Sequence, residues 1–482
     1  MTLKKISLLP LAALLLAGCS LAPGGANAPT PEAPVSQTWK NADGSVEWIS
    51  ADARRQWQTG QWWLLFDDAG LNELMPRVLV GNQNLAQMVA GVAQARALLQ
   101  QAEASRWPNL GVGLSTGRSG RPAQGSAALS ASGSWAPDLW GNLSDAVRAQ
   151  AAGVQASEAD LAAAQLSAQG SFAQGYLAVR EADAELALLD EIITGYERAE
   201  KITKNRYDSG IAAHTDLLQA QSALANARAS RAQLAASRET SEHALALLLG
   251  LPPAEFSLPP GAWTTATPQV PASLPADLLL RRPDIASAER AVAAANARIG
   301  VARGAYFPNI NLTASTGRAA IGLSQLISES VLAWSLGLSV AETLFDGGAR
   351  AGAVAQAKAQ HEAATASYRQ TVLSAMGQVE DDLTNLASLA GQIEQTRIAA
   401  AAAQGAAERM MNSYQAGISA YTEVVTAQTS ALSARRSLLQ LQAQRQQTTI
   451  NLIQALGGGW IAPWAKDGND AGGGGDEQAR GD

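Results

Sequence analysis

The sequence predicts a mainly α-helical, internally duplicated chain that also contributes four strands to a membrane β-barrel, which identical copies of the chain complete. Three observations predict this. Residues 106–117, RWPNLGVGLSTG, and 306–317, YFPNINLTASTG, repeat one design about 200 residues apart: a proline followed by alternating apolar and polar positions. Tyr207–Gly250 and Tyr414–Gly457 agree at 17 of 44 positions at a constant offset of 207, which marks a duplicated unit. Helical patterning runs unbroken from Asn142 to about Arg206, on the order of 95 Å at 1.5 Å per residue, so it belongs to a coiled coil or a helical tube.

The N-terminus comes first. Lys4 and Lys5 precede an apolar run, Ile6–Leu16, and then Leu16-Ala17-Gly18-Cys19. This resembles a bacterial lipoprotein signal, in which the thiol of the cysteine, here Cys19, is acylated and the chain is cut before it. Cys19 is the single cysteine, so no disulfide is expected, and the covalent lipid is the only non-protein group predicted. From Ser20 to about Ser50 the chain is rich in Pro, Ala, Gly and Ser, as a tether would be.

The stretch WWLLFDDAGLNELM begins order, and one helix is predicted from Leu71 to about Trp107, stopped by Pro108. Past Pro108 the period becomes two: Leu110, Val112 and Leu114 alternate with Gly111, Gly113 and Ser115. RSGRPAQGS supplies a turn, and a second alternation leads to Trp135. After the long helix, YDSGIAAHTD breaks the pattern before a helix from about Leu217 to Leu249. A proline-rich passage follows, and then the programme repeats: a helix from Asp284 to Tyr306, strands near Ile310–Thr316 and Leu332–Val340, a long helix from Ala349 to about Asn412, the break YQAGISAYTE, and a last helix to Leu456. The predicted boundaries are 1–18 signal peptide, 19–60 lipidated tether, 61–250 first repeat with its hairpin at 109–138, 251–282 linker, 283–457 second repeat with its hairpin at 309–345, and 458–482 disordered tail. In each repeat two shorter helices stacked end to end would match the long helix in length.

No segment after the signal offers about 18 uninterrupted apolar residues, which excludes a helical membrane span. The strands are long enough to cross a hydrocarbon layer at a tilt, and Leu332, Trp334, Leu336, Leu338 and Val340 share one face. Inside lipid every backbone polar group needs a protein partner, yet the smallest natural barrels need about eight strands. Several chains must therefore share one barrel. The alternative for the alternation alone is a pair of hairpins in a small soluble sandwich.

The net charge of -7 and the lack of a basic stripe argue against nucleic acid. His214, His243 and His361 are too scattered to form a metal cluster. Met410 and Met411 are adjacent on a helix and point in different directions, so they read as packing residues. No nucleophile–base set, phosphate loop or metal-ligand spacing is present, and no enzyme is expected. In RRPD, Asp284 is expected to cap the helix that follows and Pro283 to hold its entry extended. At the two breaks, Gly210 and Gly417 suit the left-handed end of a helix, and Thr215 or Asp216, and Thr422, suit the cap of the next.

LRRPDIASAERAVAAANARIGVARGAYFPNINL, WWLLFDDAGLNELM, the two breaks and the lipoprotein signal closely resemble the TolC-like outer-membrane efflux duct family, in its lipoprotein branch, over nearly all of the chain from Cys19 to about Gly457. The resemblance implies a homotrimer with a twelve-stranded barrel in the outer membrane and a helical tunnel through the periplasm. It implies two further partners, a periplasmic adaptor and an inner-membrane pump, usually of the resistance-nodulation-division class. It also implies that the duct closes at the helix tips. There Asp216 and Tyr414 match closing positions, Glu423 occupies a carboxylate position, and Ser419 stands where relatives carry an arginine. Docking of the adaptor would involve the tip turns at Gly210, Thr215, Gly417 and Thr422. A duct for protein secretion shares this architecture, and a lipid-anchored periplasmic coiled coil is a further alternative of another class.

Overall fold

The computed structural model describes residues 21, 23, 31, 32, 35, 39, 40, 60–120, 124–268, 281–321 and 331–465. The signal segment, Cys19 and the tail beyond 465 lie outside them. Among the described residues, besides short 3-10 turns, seven α-helices and four strands follow in chain order: α1 (Ala69–Gly81), α2 (Gln83–Ala104), β1 (Asn109–Ser119), β2 (Gln124–Trp135), α3 (Asn142–Asp208), α4 (His214–Leu248), α5 (Pro283–Gly304), β3 (Asn309–Ala320), β4 (Val331–Ala341), α6 (Ala349–Gln415) and α7 (Tyr421–Ala455). The duplication is exact in length: α3 and α6 have 67 residues each, α4 and α7 have 35 each, and both pairs start 207 positions apart. No helix among the described residues is long and apolar enough to cross a membrane.

The chain divides into two compact units, one of residues 1–33, 90–159 and 286–371, the other of 34–89, 160–285 and 372–482. The first unit holds the strands. They form one antiparallel sheet in the order β1-β2-β3-β4, with Leu114 opposite Leu129, Ala131 opposite Thr316 and Ala314 opposite Leu336. This register puts Leu110, Val112, Leu114, Leu129, Leu312, Leu332, Trp334, Leu336, Leu338 and Val340 on one face. The opposite face is mostly glycine, serine and threonine, with asparagine and alanine among the remaining positions: Gly113 lies across from Ser130, Gly117 from Ser126, Gly337 from Thr313, and the Ser315 and Ser335 hydroxyls meet at 2.9 Å.

The apolar face is bare. Val112 is 80% exposed, Trp334 78% and Leu336 71%, a continuous apolar surface larger than a water-soluble monomer tolerates. β1 and β4 each pair on one side only, so both edges present a row of free backbone groups.

Where the sheet meets its helices, the two repeats are tied together. Trp140 stacks on Phe307 with centroids 5.1 Å apart and donates from Nε1 to the Pro308 carbonyl, while Trp135 Nε1 donates to the Arg106 carbonyl. Asp138 accepts from the Leu143 and Ser144 amides and so caps α3. In the second repeat Arg350 plays the organising part: it pairs with Asp346 and Glu342 and lies over the Tyr306 ring. The N-terminal stretch expected to be a free tether is docked where it is described. The Leu21 amide donates to Asp145 Oδ2 at 3.1 Å, Arg303 donates to the Leu21 carbonyl and Asn296 to that of Pro23.

The second unit is built on a core of Trp62, Phe66, Leu71, Met75, Phe172, Tyr176, Leu245, Ile450 and Ile453. The single helix expected over 71–107 is two helices. Asn82 breaks it: its Oδ1 accepts from the Asn84 and Leu85 amides, capping α2, and its Nδ2 donates to the Leu248 carbonyl. At this junction Gly81 and Gly250 touch backbone to backbone; a Cβ on Gly250 would sit 1.9 Å from the Gly81 carbonyl oxygen. Asp284 is not the cap of α5, because the helix starts at Pro283 and places Asp284 in its first turn, bonded to Arg282. Proline suits that first position, since its missing N–H has no helical partner anyway. Arg282 is buried and also donates to the Ala455 carbonyl at the end of α7. The expected tail from 458 is ordered at its start, with a helical turn at Pro463–Ala465.

Part of the linker is also fixed. Asp183 accepts from Arg180, from Arg238 and from the Gly261 amide; Arg180 donates to the Pro259 carbonyl, Glu242 accepts from the Leu258 amide, and Gln446 donates to the Thr264 and Ala266 carbonyls.

Candidate functional site

The helix tips belong to the second unit. Both breaks end their long helix by the same device. The Gly210 amide donates to the Tyr207 carbonyl and that of Ile211 to the Arg206 carbonyl; the Gly417 amide donates to Tyr414 and that of Ile418 to Ser413. With φ of +73° and +78°, the two glycines hold the left-handed residue of a Schellman motif. The residues after them differ from expectation. The caps of α4 and α7 are Ala213 and Ala420, with no side-chain bond. Thr215, Asp216 and Thr422 lie inside the first turns, where Asp216 and Glu423 bring negative charge to helix N-termini.

The tip closes on a small apolar cluster. Tyr414 and Tyr421, 3% and 1% exposed, pack edge to face at 5.1 Å with Ala199, Ala220 and Val424, and Met410 and Met411 pack against them. Burial pushes the Tyr421 phenol up, and Tyr414, Tyr196 and the Asp216 carboxylate add to this. Asp216 is thus an electrostatic neighbour of the pair. Ser419 Oγ approaches the Met410 carbonyl at 3.5 Å, whereas Thr215, Thr422 and Glu423 are exposed.

Arg206 was not singled out in the sequence. Its Nη1 donates to the Tyr414 carbonyl at 2.9 Å and the Gln415 carbonyl at 3.1 Å, and its guanidinium lies 4.8 Å from the centre of the Tyr414 ring. An arginine from the first repeat therefore holds the last carbonyls of α6 in the second, a favourable place for a cation. The signal for it was its position four residues before Gly210, since Arg in the last turn of a helix complements the dipole. Ile211 and Ile418, 68% and 81% exposed, project from the two turns.

A second polar feature lies elsewhere in this unit. Arg282, Gln378, Asp381, Asp382 and Asn451 line a cavity of about 460 Å³. Burial, with the neighbouring Asp381 charge, pushes the Asp382 carboxyl up to about 6. The folded chain thus keeps a proton that the unfolded chain releases near pH 4, so this group contributes stability at low pH that is lost as pH rises through about 6. Asp382→Asn is expected to raise the urea midpoint at pH 7.5, with the gain vanishing at pH 4; an equal gain at both pH values would refute the assignment.

Comparison with known proteins covers nearly the whole chain. The family model described as "Outer membrane efflux protein" matches residues 74–251 and 274–458. The cation efflux system protein CusC of Escherichia coli O6:H1 is 30% identical over 93% of this chain and 97% of its own length. The probable efflux pump outer membrane protein TtgC of Pseudomonas putida is 29% identical over 95% of this chain and 96% of its own. Among solved structures, the outer-membrane channel OprN superposes with a TM-score of 0.82 at 29% identity, covering 90% of this chain and 99% of that one.

Proposed function

The chain belongs to the outer membrane efflux protein family, and from that premise we propose that three copies close one pore, gated at the helix tips, for small molecules delivered by an inner-membrane pump through a periplasmic adaptor. It is an outer-membrane channel. The observation that carries a barrel shared between copies is the open sheet, apolar on one side, small and polar on the other, and unpaired at both edges. Strands alternate in direction, so β4 of one copy meets β1 of the next antiparallel, and any number of copies keeps the even strand count that such barrels have; three is the number that the family resemblance implies. Lipid then covers the leucine face, and the Gly/Ser/Thr face lines the lumen.

Cys19 is the lipid attachment site in this reading. Leu21, two residues on, is held by Asp145 at the start of α3 and Arg303 at the end of α5, next to the edge of the sheet from which the helices leave. An acyl chain there enters the periplasmic leaflet beside the barrel. The channel supplies no chemistry; the pump, which we assign to the resistance-nodulation-division class, supplies the energy. The exposed Ile211 and Ile418, with Gly210, Thr215, Gly417 and Thr422, form the surface offered to the adaptor.

At rest the tips are held by Arg206 on the Tyr414 and Gln415 carbonyls and by the packed Tyr414–Tyr421 pair, with Asp216 beside it. Glu423, exposed in three copies around an axis, gives an anionic ring that favours cations. Ser419 has no charge to pair with Asp216, so the latch relies on Arg206 instead. Two charge-assisted bonds plus the ring contact amount to about 2 kcal/mol at this half-exposed site, which shifts an open–closed equilibrium on the order of 30-fold. Purified protein in a planar bilayer is expected to conduct, weakly at rest and more strongly in Arg206→Ala. No conductance in either form would refute the channel, and equal conductance in both would refute the latch.

A further inference from the structure

The four strands carry just two ionisable side chains, Arg118 and Arg318. Each ends the same tetrapeptide, Ser-Thr-Gly-Arg, at 115–118 and 315–318. The register puts both on the apolar face. Arg118 is two positions past Thr116 and four past Leu114, and Arg318 stands between Leu129 and Leu332. Both are exposed, and neither pairs with a carboxylate among the described residues.

Depth explains how arginine is tolerated there. The opposite end of the sheet, where the helices attach, is marked by Trp107, Trp135, Tyr306 and Phe307, the aromatic residues expected at a membrane–water boundary. From Asn109 to Arg118, and from Asn309 to Arg318, the strand advances nine residues. At ~3.4 Å per residue and a tilt of ~40°, that is a rise of about 23 Å, close to the height of the apolar band of an outer-membrane barrel. Both guanidiniums thus lie at the outer rim of the band, on the side facing lipid. Equivalent positions of the two repeats, in three copies, make six around the barrel.

We propose that Arg118 and Arg318 bind the phosphates of the phosphorylated glycolipid, lipid A, that forms the outer leaflet of this membrane. The inference rests on the outer-membrane reading above. A guanidinium offers paired donors that match phosphate oxygens, and the leucine and tryptophan side chains below each arginine accept the acyl chains of the same molecule. A soluble anion would use the first feature and gain nothing from the second.

The test uses the full-length protein in neutral detergent and native mass spectrometry, with bis-phosphorylated lipid A as one probe and the same lipid stripped of both phosphates as the other. Wild type is expected to bind the phosphorylated lipid at least tenfold more tightly, Arg118→Gln/Arg318→Gln to bind the two lipids alike, and Arg118→Lys/Arg318→Lys to keep part of the preference. Equal binding of the two lipids by wild type would overturn the proposal without recourse to any variant, as would a glutamine variant that discriminates as wild type does. Bilayer conductance of the same wild-type preparation separates the two levels. A conducting protein that ignores the phosphates refutes the arginine site alone, while a non-conducting monomer refutes the channel beneath it.

Discussion

Leu336→Arg is expected to abolish assembly in the outer membrane, while Ser335→Arg, one residue away, leaves it intact. Leu336 lies mid-strand on the bare apolar face, opposite Ala314, and is 71% exposed. In a barrel it faces the hydrocarbon, where an arginine near the midplane costs about 2–4 kcal/mol per copy, three times over in a trimer. Ser335 points the other way, its hydroxyl 2.9 Å from that of Ser315, and an arginine there enters the lumen. Membrane fractionation should find the first variant depleted by an order of magnitude or more, and the second present at normal levels with altered ion selectivity. If both variants assembled equally, or the serine variant failed and the leucine variant did not, the assignment of the two faces would be wrong.

The second large effect is at Asp183. Its carboxylate, 4% exposed, accepts from Arg180 and Arg238, themselves about a tenth exposed, and from the Gly261 amide. Asp183→Ala leaves the buried Arg180 without its anion, Arg238 with Glu242 as its one remaining carboxylate, and the Gly261 amide without its acceptor, a loss of about 3 kcal/mol. The linker segment that these arginines hold through the Leu258 and Pro259 carbonyls should then loosen. Limited proteolysis is expected to cut the variant between residues 256 and 268 at a protease concentration that spares wild type. An unchanged cleavage pattern would show that the helices alone fix this segment.

Much of this architecture was legible in the sequence because its signals are strong and local. A period of two after Pro108 and Pro308 gave four strands on the right faces, and the constant offset of 207 gave two helix pairs whose true ends differ from expectation by a few residues. Most of the misses depend on partners distant in sequence, and the helix caps depend on the length of a local turn. Asn82 looked like one polar residue in a helical run, and only its bond to the Leu248 carbonyl and its capping of α2 make it a break. Thr215 and Thr422 are reasonable caps by type, but the Schellman turns are shorter than the sequence pattern suggests, so the next helices start earlier and the cap position falls two residues before, on Ala213 and Ala420. Arg206 was hidden in the last turn of a long charged helix, since what distinguishes it is Tyr414, 208 residues away. The linker and the stretch after Cys19 are low in complexity, yet buried arginines and asparagines on the helices pin them.

This chain owns four strands of a larger closed sheet. The most direct measurement is the mass of the detergent-extracted, full-length protein by light scattering corrected for bound detergent. A single species of three chains is expected. A stable, folded species of one chain, with its leucine face and both strand edges satisfied by itself, would contradict it.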